Sequence, residues 1–168
     1  MNKEKTAEEV LNVLKMQEEI LQFTHFTNQD AWELGKLMVD EARKRELAVG
    51  ILIRRANGLT VFSHMMDGTT IDNREWLERK FNTVLRTEVS TLEFYMYLQN
   101  SGNTMETKFM DEMKYACVGG GFPVKVEDAG LVGAVCVSGL NHVADHDFII
   151  KCLSRYLHMD EVPRLKKI

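Results

Sequence analysis

The stretch GGGFPVKVEDAGLVGAVCVSGLNHVADH, residues 119–146, decides the fold of this chain. It contains a glycine-rich bend, a strand pattern in FPVKVE, a turn at DAG and a second strand pattern in LVGAVCVS. Two β-rich runs joined by a short turn predict a β-hairpin. A helix follows, and its pattern predicts bounds of about His142 and Leu157.

The three consecutive glycines do not match a nucleotide-binding loop. A P-loop continues into Lys-Ser/Thr and a helix, and the Rossmann fingerprint also continues into a helix. Here Gly119–Gly121 are followed by Phe-Pro and a strand. We therefore predict a tight bend with positive φ, where a ligand could also approach bare backbone. Pro123 predicts an edge or first-strand position.

A second hairpin is predicted in LAVGILIRRANGLTVFSH, residues 47–64. The pair Asn57-Gly58 favours a type I′ turn, in which both central residues have φ > 0. The run Leu47–Ile53 is almost entirely apolar, which predicts a central strand covered on both faces.

Helix start signals recur along the rest of the chain. Thr6 and Glu9 form a capping-box pattern that predicts an N-terminal helix over about 6–22. The further predicted helices begin after Thr27 or Asn28, near Asp72, at Ser90 with a stop at Gly102, and at Met105 with an end near Met113. The element order ααββ-αα(α)-ββα indicates an antiparallel sheet packed by helices.

Length and charge limit the function classes. A chain of 168 residues is predicted to form a single domain over residues 1–168. The net charge is −4, with no basic block beyond Lys166 and Lys167, which argues against nucleic acid as the main partner. The polar N-terminus is no signal peptide, and LVGAVCV falls far short of the ~20 residues that span a bilayer. Three widely spaced cysteines favour free thiols, so a cytoplasmic protein is predicted.

Linked motifs resemble a known family. The segments GGGFPV, GLVGAVCVSGL and ADHDFIIKCL resemble the HbpS/GlcG-like superfamily, also called the haem-degrading domain, and most of all its uncharacterised UPF-type branch. The segment DNREWLERKFNTVLR, residues 72–86, resembles that branch's Asn-x-x-Trp-x-x-Arg-Lys helix. The resemblance covers roughly residues 45–157. One departure is Val118, which stands where the branch has a His before its glycine pair.

The resemblance implies a fold more than an activity. It implies a profilin-like α/β (α+β) sandwich with an antiparallel sheet of about five strands flanked by helices, assembled as a homo-oligomer. Some relatives bind haem and others accompany glycolate or diol metabolism. The UPF-type branch has no settled function.

Two histidines begin the last predicted helix. His142 and His146 are four residues apart and can share a helical face, which suits two metal ligands with Asp145 or His64 as a third. Either imidazole could also contact haem iron. The alternative is that Asn141 or Asp145 caps the helix while the imidazoles lie at a wet surface.

A second set of candidate residues lies on the helix that begins near Asp72. Trp76, Arg79 and Lys80 share one helical face. An aromatic plate beside two cations could hold a carboxylate or a haem propionate. The alternative is that Trp76 packs in the core or at an interface with both cations lying over it.

Covalent catalysis finds little support. Cys136 lies within an apolar strand, where a thiolate is disfavoured. Ser138 precedes a glycine but lacks a GxSxG elbow. A relay of Ser138, His146 and Asp145 has poor geometry, because adjacent residues of a helix point in different directions.

The leading hypothesis is an oligomeric cytosolic protein that binds a small molecule, either haem or another anionic organic ligand. The expected binding residues are Trp76, Arg79, Lys80, Gly119, Gly120, Phe122, Ser138, Gly139, Asp145 and His146. Trp76 and Arg79 could come from a neighbouring subunit. Two rival hypotheses are an enzyme that breaks down haem or a small hydroxy acid, and an oligomeric adaptor for protein partners.

Overall fold

A computed structural model describes residues 6–165, which form a four-stranded antiparallel sheet flanked by five α-helices. The elements are α1 (Ala7–Ile20), α2 (Asn28–Lys44), β1 (Gly50–Arg55), β2 (Thr60–Met65), α3 (Ile71–Thr87), α4 (Thr91–Ser101), β3 (Gly121–Val126), β4 (Gly130–Ser138) and α5 (His142–Tyr156). Lys166 and Lys167 lie outside the described residues. Within the described range, no helix is both long and apolar enough to cross a membrane.

The sheet order is β2-β1-β4-β3, so the two predicted hairpins lie side by side. β1 pairs with β2 and with β4, which confirms that the apolar run before Arg54 supplies a central strand. The expected strand count of about five is wrong, because each hairpin supplies two strands. The only further pairing in the described part of the chain is a single bridge between Phe23 and Val126.

The two sheet faces carry different helices, which confirms the predicted α/β sandwich. The alternation of a β-strand sends Ile51, Ile53, Val135 and Val137 into a core with α2 and α5. The intervening residues Leu52, Ala134 and Cys136 pack instead against α3, on its residues Leu77, Phe81 and Val84. A separate cluster joins α1 to α4.

Side-chain caps fix most helix starts where the sequence predicts them. The side chains of Thr6, Ser90 and Asn141 accept hydrogen bonds from backbone N–H groups in the first turns of α1, α4 and α5. Asn141, and not Asp145, is therefore the cap of α5. Helix α3 begins slightly earlier than expected, because Thr70 and Asn73 form a capping box around its first turn.

The turn of the first hairpin differs from the prediction. Only Gly58 has positive φ, at 93°, so the turn is not of type I′. The Arg55 N–H donates to the Leu59 carbonyl and the Gly58 N–H donates to the Arg55 carbonyl, which encloses a three-residue loop. The register shifts between Ile53 and Arg54. The extra residue at this shift is Val61 of β2, whereas Gly58 takes the left-handed position with which three-residue hairpin loops commonly end.

The predicted helix over Met105–Met113 is wrong. These residues form successive turns, and Phe109 has φ of 55°, which interrupts a right-handed helix. The carbonyls of Lys108 and Phe109 accept hydrogen bonds from the Arg86 guanidinium instead of from a following helical turn. A side chain of α3 therefore holds this segment in its irregular form.

Candidate functional site

A cleft of about 290 Å³ lies where the start of α3, the end of β4 and the start of α5 meet. The residues that carry its chemistry are Asn73, Trp76, Lys80, Ser138, His142 and Asp145. Trp76, Lys80, Ser138, Gly139 and Asp145 were all expected in the binding site, and a single chain brings them together. No neighbouring subunit is needed to supply Trp76.

The base of the cleft is an ion pair between Lys80 and Asp145. Each residue is 2% exposed, and the Lys80 Nζ lies 3.0 Å from the Asp145 Oδ2. The same ammonium donates to the Val137 carbonyl at 2.8 Å. Because an ammonium has three N–H groups, one donor stays free of protein partners among the described residues.

Both carboxylate oxygens of Asp145 already accept hydrogen bonds from the protein. Its Oδ1 accepts the Leu140 N–H at 2.9 Å while Oδ2 accepts from Lys80. Burial raises the pKa of the Asp145 carboxyl, and the Lys80 charge and backbone N–H bonds limit the rise. The carboxylate therefore serves as an anchor for the ammonium and for the turn before α5.

The glycine run makes room for these groups. Gly120 has φ of +115°, which confirms the predicted bend, and a Cβ there would lie 2.5 Å from both the Lys80 Nζ and the Val137 carbonyl oxygen. A Cβ on Gly119 would collide with the His142 carbonyl. Both glycines are buried, so they support the cleft from behind and do not offer backbone to a ligand.

His142 presents a defined tautomer. Its Nδ1 accepts the Gly119 N–H at 3.2 Å, and its ring meets the Tyr95 ring edge-on with centroids 5.0 Å apart. Burial, and then the Lys80 charge, lowers the pKa of His142. A neutral imidazole whose Nδ1 accepts a hydrogen bond carries its proton on Nε2. His142 is therefore a hydrogen-bond donor at the cleft.

His146 lies away from the cleft, contrary to expectation. It is 1% exposed, and its Nε2 meets the Gln17 Oε1 at 2.8 Å. The Gln17 Nε2 donates to the Pro163 carbonyl, which leaves the Gln17 oxygen to accept from His146. The His146 Nδ1 has no partner in the described part of the chain, and burial lowers the pKa of His146 to about 3. The structure therefore does not form the Ser138–His146–Asp145 relay.

Two further expected residues also lie elsewhere. Phe122 is 1% exposed in the core with α2 and α5, because strand alternation directs it to that face. The Arg79 guanidinium stacks on the Trp76 ring at 3.9 Å and lines a different surface cavity beside Met113 and Lys114. Arg79 therefore lies outside the cleft that Trp76 and Lys80 line.

Asp72 and Leu140 line the cleft without having been expected there. They come from the first turn of α3 and the segment after β4, which only the packing of α3 on β4 brings together. Asn73 adds a weak contact from its Nδ2 to the Ser138 Oγ at 3.5 Å, while its Oδ1 caps the Thr70 N–H. No local sequence signal marks Asp72 or Leu140.

Metal and thiol chemistry find no support at this site. Over residues 6–165, no three His, Cys, Asp or Glu side chains converge to hold a metal ion. His64 lies on the edge strand β2 opposite Ile51, so it is no third ligand for His142. Burial raises the pKa of Cys136 to about 12, which keeps that thiol protonated.

Known proteins are similar to this chain in sequence. Residues 26–154 match the family model described as "Haem degrading protein HbpS-like". A UPF0303 protein of Yersinia enterocolitica is 36% identical over 88% of this chain and 88% of its own length. A UPF0303 protein of Streptomyces coelicolor is 41% identical over 86% of this chain and 91% of its own length.

Solved structures extend the comparison. The Ybr137w protein superposes with a TM-score of 0.82 at 27% identity, covering 93% of this chain and 90% of its own. HbpS superposes with a TM-score of 0.64 at 23% identity, covering 81% and 92% of the two chains. PduOC, solved as a haem complex, superposes with a TM-score of 0.65 at 21% identity, covering 77% and 93%. The chain therefore belongs to the HbpS-like family, in its UPF0303 branch.

Proposed function

We propose that this protein binds a small organic anion, most simply a carboxylate, in the cleft above the Lys80–Asp145 pair. The observation that carries the proposal is that the unused hydrogen-bonding groups at the base of the cleft are donors. At the buried base, the third Lys80 N–H and the His142 Nε2–H are donors, and Asp145 already accepts from Lys80 and Leu140. The Asp72 carboxylate lies at the exposed rim of the cleft, away from this base. A buried surface rich in donors selects a ligand that accepts hydrogen bonds.

The shape of the cleft restricts the ligand to a small molecule with a flat or apolar body. Its volume of about 290 Å³ is at the lower limit of ordinary ligand pockets, which run from ~300 to ~1,000 Å³. Trp76 offers an indole wall, and its ring is held in place by the stacked Arg79 guanidinium. The Ser138 hydroxyl can accept or donate, which suits a hydroxyl or carbonyl next to the carboxylate.

Haem is the second candidate, because the matched family is described as haem-degrading and the PduOC neighbour was solved with haem. The histidines of this chain do not fit axial ligation in the cleft. Iron at the His142 Nε2 would require that proton to move to Nδ1, which would break the Gly119 hydrogen bond. His146 is buried against Gln17. Haem binding at this cleft would therefore rest on propionate contacts alone.

The test is direct titration after native mass spectrometry has identified any co-purified ligand. We expect benzoate to bind and its neutral analogue benzyl alcohol to bind at least about tenfold more weakly, because only the carboxylate uses the charged donor. His142→Phe should weaken benzoate binding by a similar factor. His64→Phe, on the distant edge strand, is the matched control.

Three outcomes separate the candidates. Equal binding of benzoate and benzyl alcohol, or unchanged benzoate binding in His142→Phe, contradicts the anion proposal. A Soret band with haemin that survives His142→Phe, combined with competition by benzoate, supports propionate contacts in this cleft. A Soret band without competition places haem elsewhere.

We also propose that the chain is one domain over residues 1–168 and acts as a homo-oligomer in the cytoplasm. Three large apolar side chains support the assembly: Phe109 is 89% exposed, Met113 is 84% exposed and Ile71 is 66% exposed. Phe109 and Met113 belong to one segment, four residues apart, and neighbouring exposed apolar side chains are typical of interaction surfaces, whereas Ile71 lies at the other end of α3. The rival adaptor hypothesis uses the same surface for a different protein.

A further inference from the structure

A second cavity, of about 300 Å³, lies between α1 and the start of α4, apart from the cleft. Its apolar walls are formed by Leu11, Val89, Phe94 and Tyr97. The rings of Phe94 and Tyr97 stack with centroids 6.1 Å apart. The polar residues in its lining are the buried Glu93, the half-buried Thr87 and, at the exposed rim, Lys15.

Glu93 lacks the partner that a buried carboxylate needs. The residue is 8% exposed, and over the described part of the chain no side-chain or backbone N–H donates to its carboxyl. Its neighbour is another acid, Glu18 of α1, which is 7% exposed. Burial, and then the hydrogen bond and charge of Glu18, raise the pKa of Glu93 to about 8. The Glu93 carboxyl therefore holds its proton at neutral pH.

The positive charges nearby do not neutralise both acids. Glu18 accepts the Ser90 N–H at 2.6 Å and lies 3.3 Å from the Lys125 Nζ of β3. Lys15 is exposed at the rim and forms no ion pair with either acid among the described contacts. The one close ammonium thus belongs to Glu18, and the buried Glu93 carboxyl has no cation of its own among the described contacts.

We propose that this cavity binds a small organic ammonium ion, whose charged group pairs with the buried Glu93 carboxylate. The apolar walls would cover its hydrocarbon body. Lys108 already lies 5.0 Å from the centroid of the Tyr97 ring, so the charge of the ligand is taken by the Glu93 carboxylate and not by that ring. Binding of one ammonium expels one proton to solvent, and no bond between heavy atoms forms or breaks.

The test is calorimetric titration of the full chain with cyclohexylammonium and with the neutral isostere cyclohexanol. An alkylammonium keeps its charge to about pH 10. Below about pH 8, where Glu93 holds its proton, the affinity for cyclohexylammonium should therefore rise about tenfold per pH unit. Repeating the titration in buffers of different ionisation enthalpy should report release of about one proton. Cyclohexanol should show neither effect.

Variants locate the site. Glu93→Gln should remove both the proton release and the preference for the ammonium, while Glu19→Gln, on the exposed side of α1, should leave both unchanged. Equal affinity for the two isosteres, or ammonium binding without pH dependence, overturns the proposal. If Glu93→Gln fails to fold, the pH dependence of the unmodified chain decides. Because this cavity is separate from the cleft, failure here leaves the proposed anion site unaffected.

Discussion

Position 120 requires glycine because a side chain from another element, Lys80 of α3, occupies the space beside it. Its backbone has φ of +115°, and the space that a Cβ would take is occupied by the Lys80 ammonium and the Val137 carbonyl. A glycine in such a place is required twice, once by the backbone conformation and once by the neighbours.

We expect Gly120→Ala to destabilise the fold by about 1–3 kcal/mol for the backbone strain, with a further cost for displacing Lys80. Gly130→Ala is the matched control, since Gly130 also has positive φ, at +84°, but a Cβ added there would have no neighbour within 4 Å. Urea denaturation of both variants measures the difference. Equal losses in the two variants would show that the contact with Lys80 contributes nothing.

The Lys80–Asp145 pair should behave as a unit. Lys80→Met leaves the Asp145 carboxylate buried without its counter-charge, and we expect a loss of about 3–5 kcal/mol in the free energy of unfolding. Adding Asp145→Asn to Lys80→Met should restore part of that loss, because the buried charge is then gone. A double-mutant cycle by urea denaturation measures the coupling, and simple additivity of the two changes would contradict it.

At the scale of elements, the start of α4 joins two helices. The Ser90 Oγ caps the Glu93 N–H at 3.2 Å, and the Ser90 N–H donates to the Glu18 carboxylate at 2.6 Å. Ser90→Ala should lower stability by about 1–2 kcal/mol, as is usual for a lost cap. Thr6→Ala, at the exposed cap of α1, is the control and should cost less. A thermal melt compares them, and an equal or larger shift in Thr6→Ala would refute the expectation.

The buried contact between His146 of α5 and Gln17 of α1 predicts that the free energy of unfolding depends on pH. His146 has a folded pKa of about 3 against an ordinary value of 6.5, so between these pH values the unfolded chain binds a proton that the folded chain excludes. Stability should therefore fall as the pH falls through this window, by up to about 1.4 kcal/mol per pH unit from this residue. The stability that a neutral, buried His146 contributes is fully present above the ordinary pKa of 6.5.

The measurement is urea denaturation at several pH values on the unmodified chain and on His146→Gln. The difference between the two slopes isolates His146 from other groups that titrate in the same window, including His142 and Asp145. An unchanged slope in His146→Gln would contradict a neutral, buried His146.

At the scale of the whole molecule, the exposed apolar surface predicts self-association. Native mass spectrometry should give a mass that is a multiple of 19.3 kDa. The double variant Phe109→Ser, Met113→Ser should shift the population toward smaller species, because it removes the two most exposed large apolar side chains. A monomer in the unmodified chain would contradict both the homo-oligomer and the oligomeric adaptor. An assembly that is indifferent to these changes would show that Phe109 and Met113 do not form its interface.

Most of the fold could be predicted from local patterns. The capping residues Thr6, Ser90 and Asn141 mark helix starts because their side chains replace missing backbone partners within three residues. The apolar run before Arg54 marks a central strand because both of its faces are covered. The predictions failed for the Asn57-Gly58 turn and the 105–113 segment. A strand bulge decided the first, and the Arg86 side chain decided the second.

Sequence patterns alone were enough to predict the helix starts, the two hairpins, the family and a set of polar residues near the start of α5, because each of these depends on neighbours within a few positions. Which of those residues meet depends on how the helices pack on the sheet. This packing brings Lys80 to Asp145 across 65 positions, and it turns His146 toward Gln17 across 129 positions. The physical reason is that a buried charge or imidazole takes the partner that packing places beside it, and that partner leaves no mark in the local sequence.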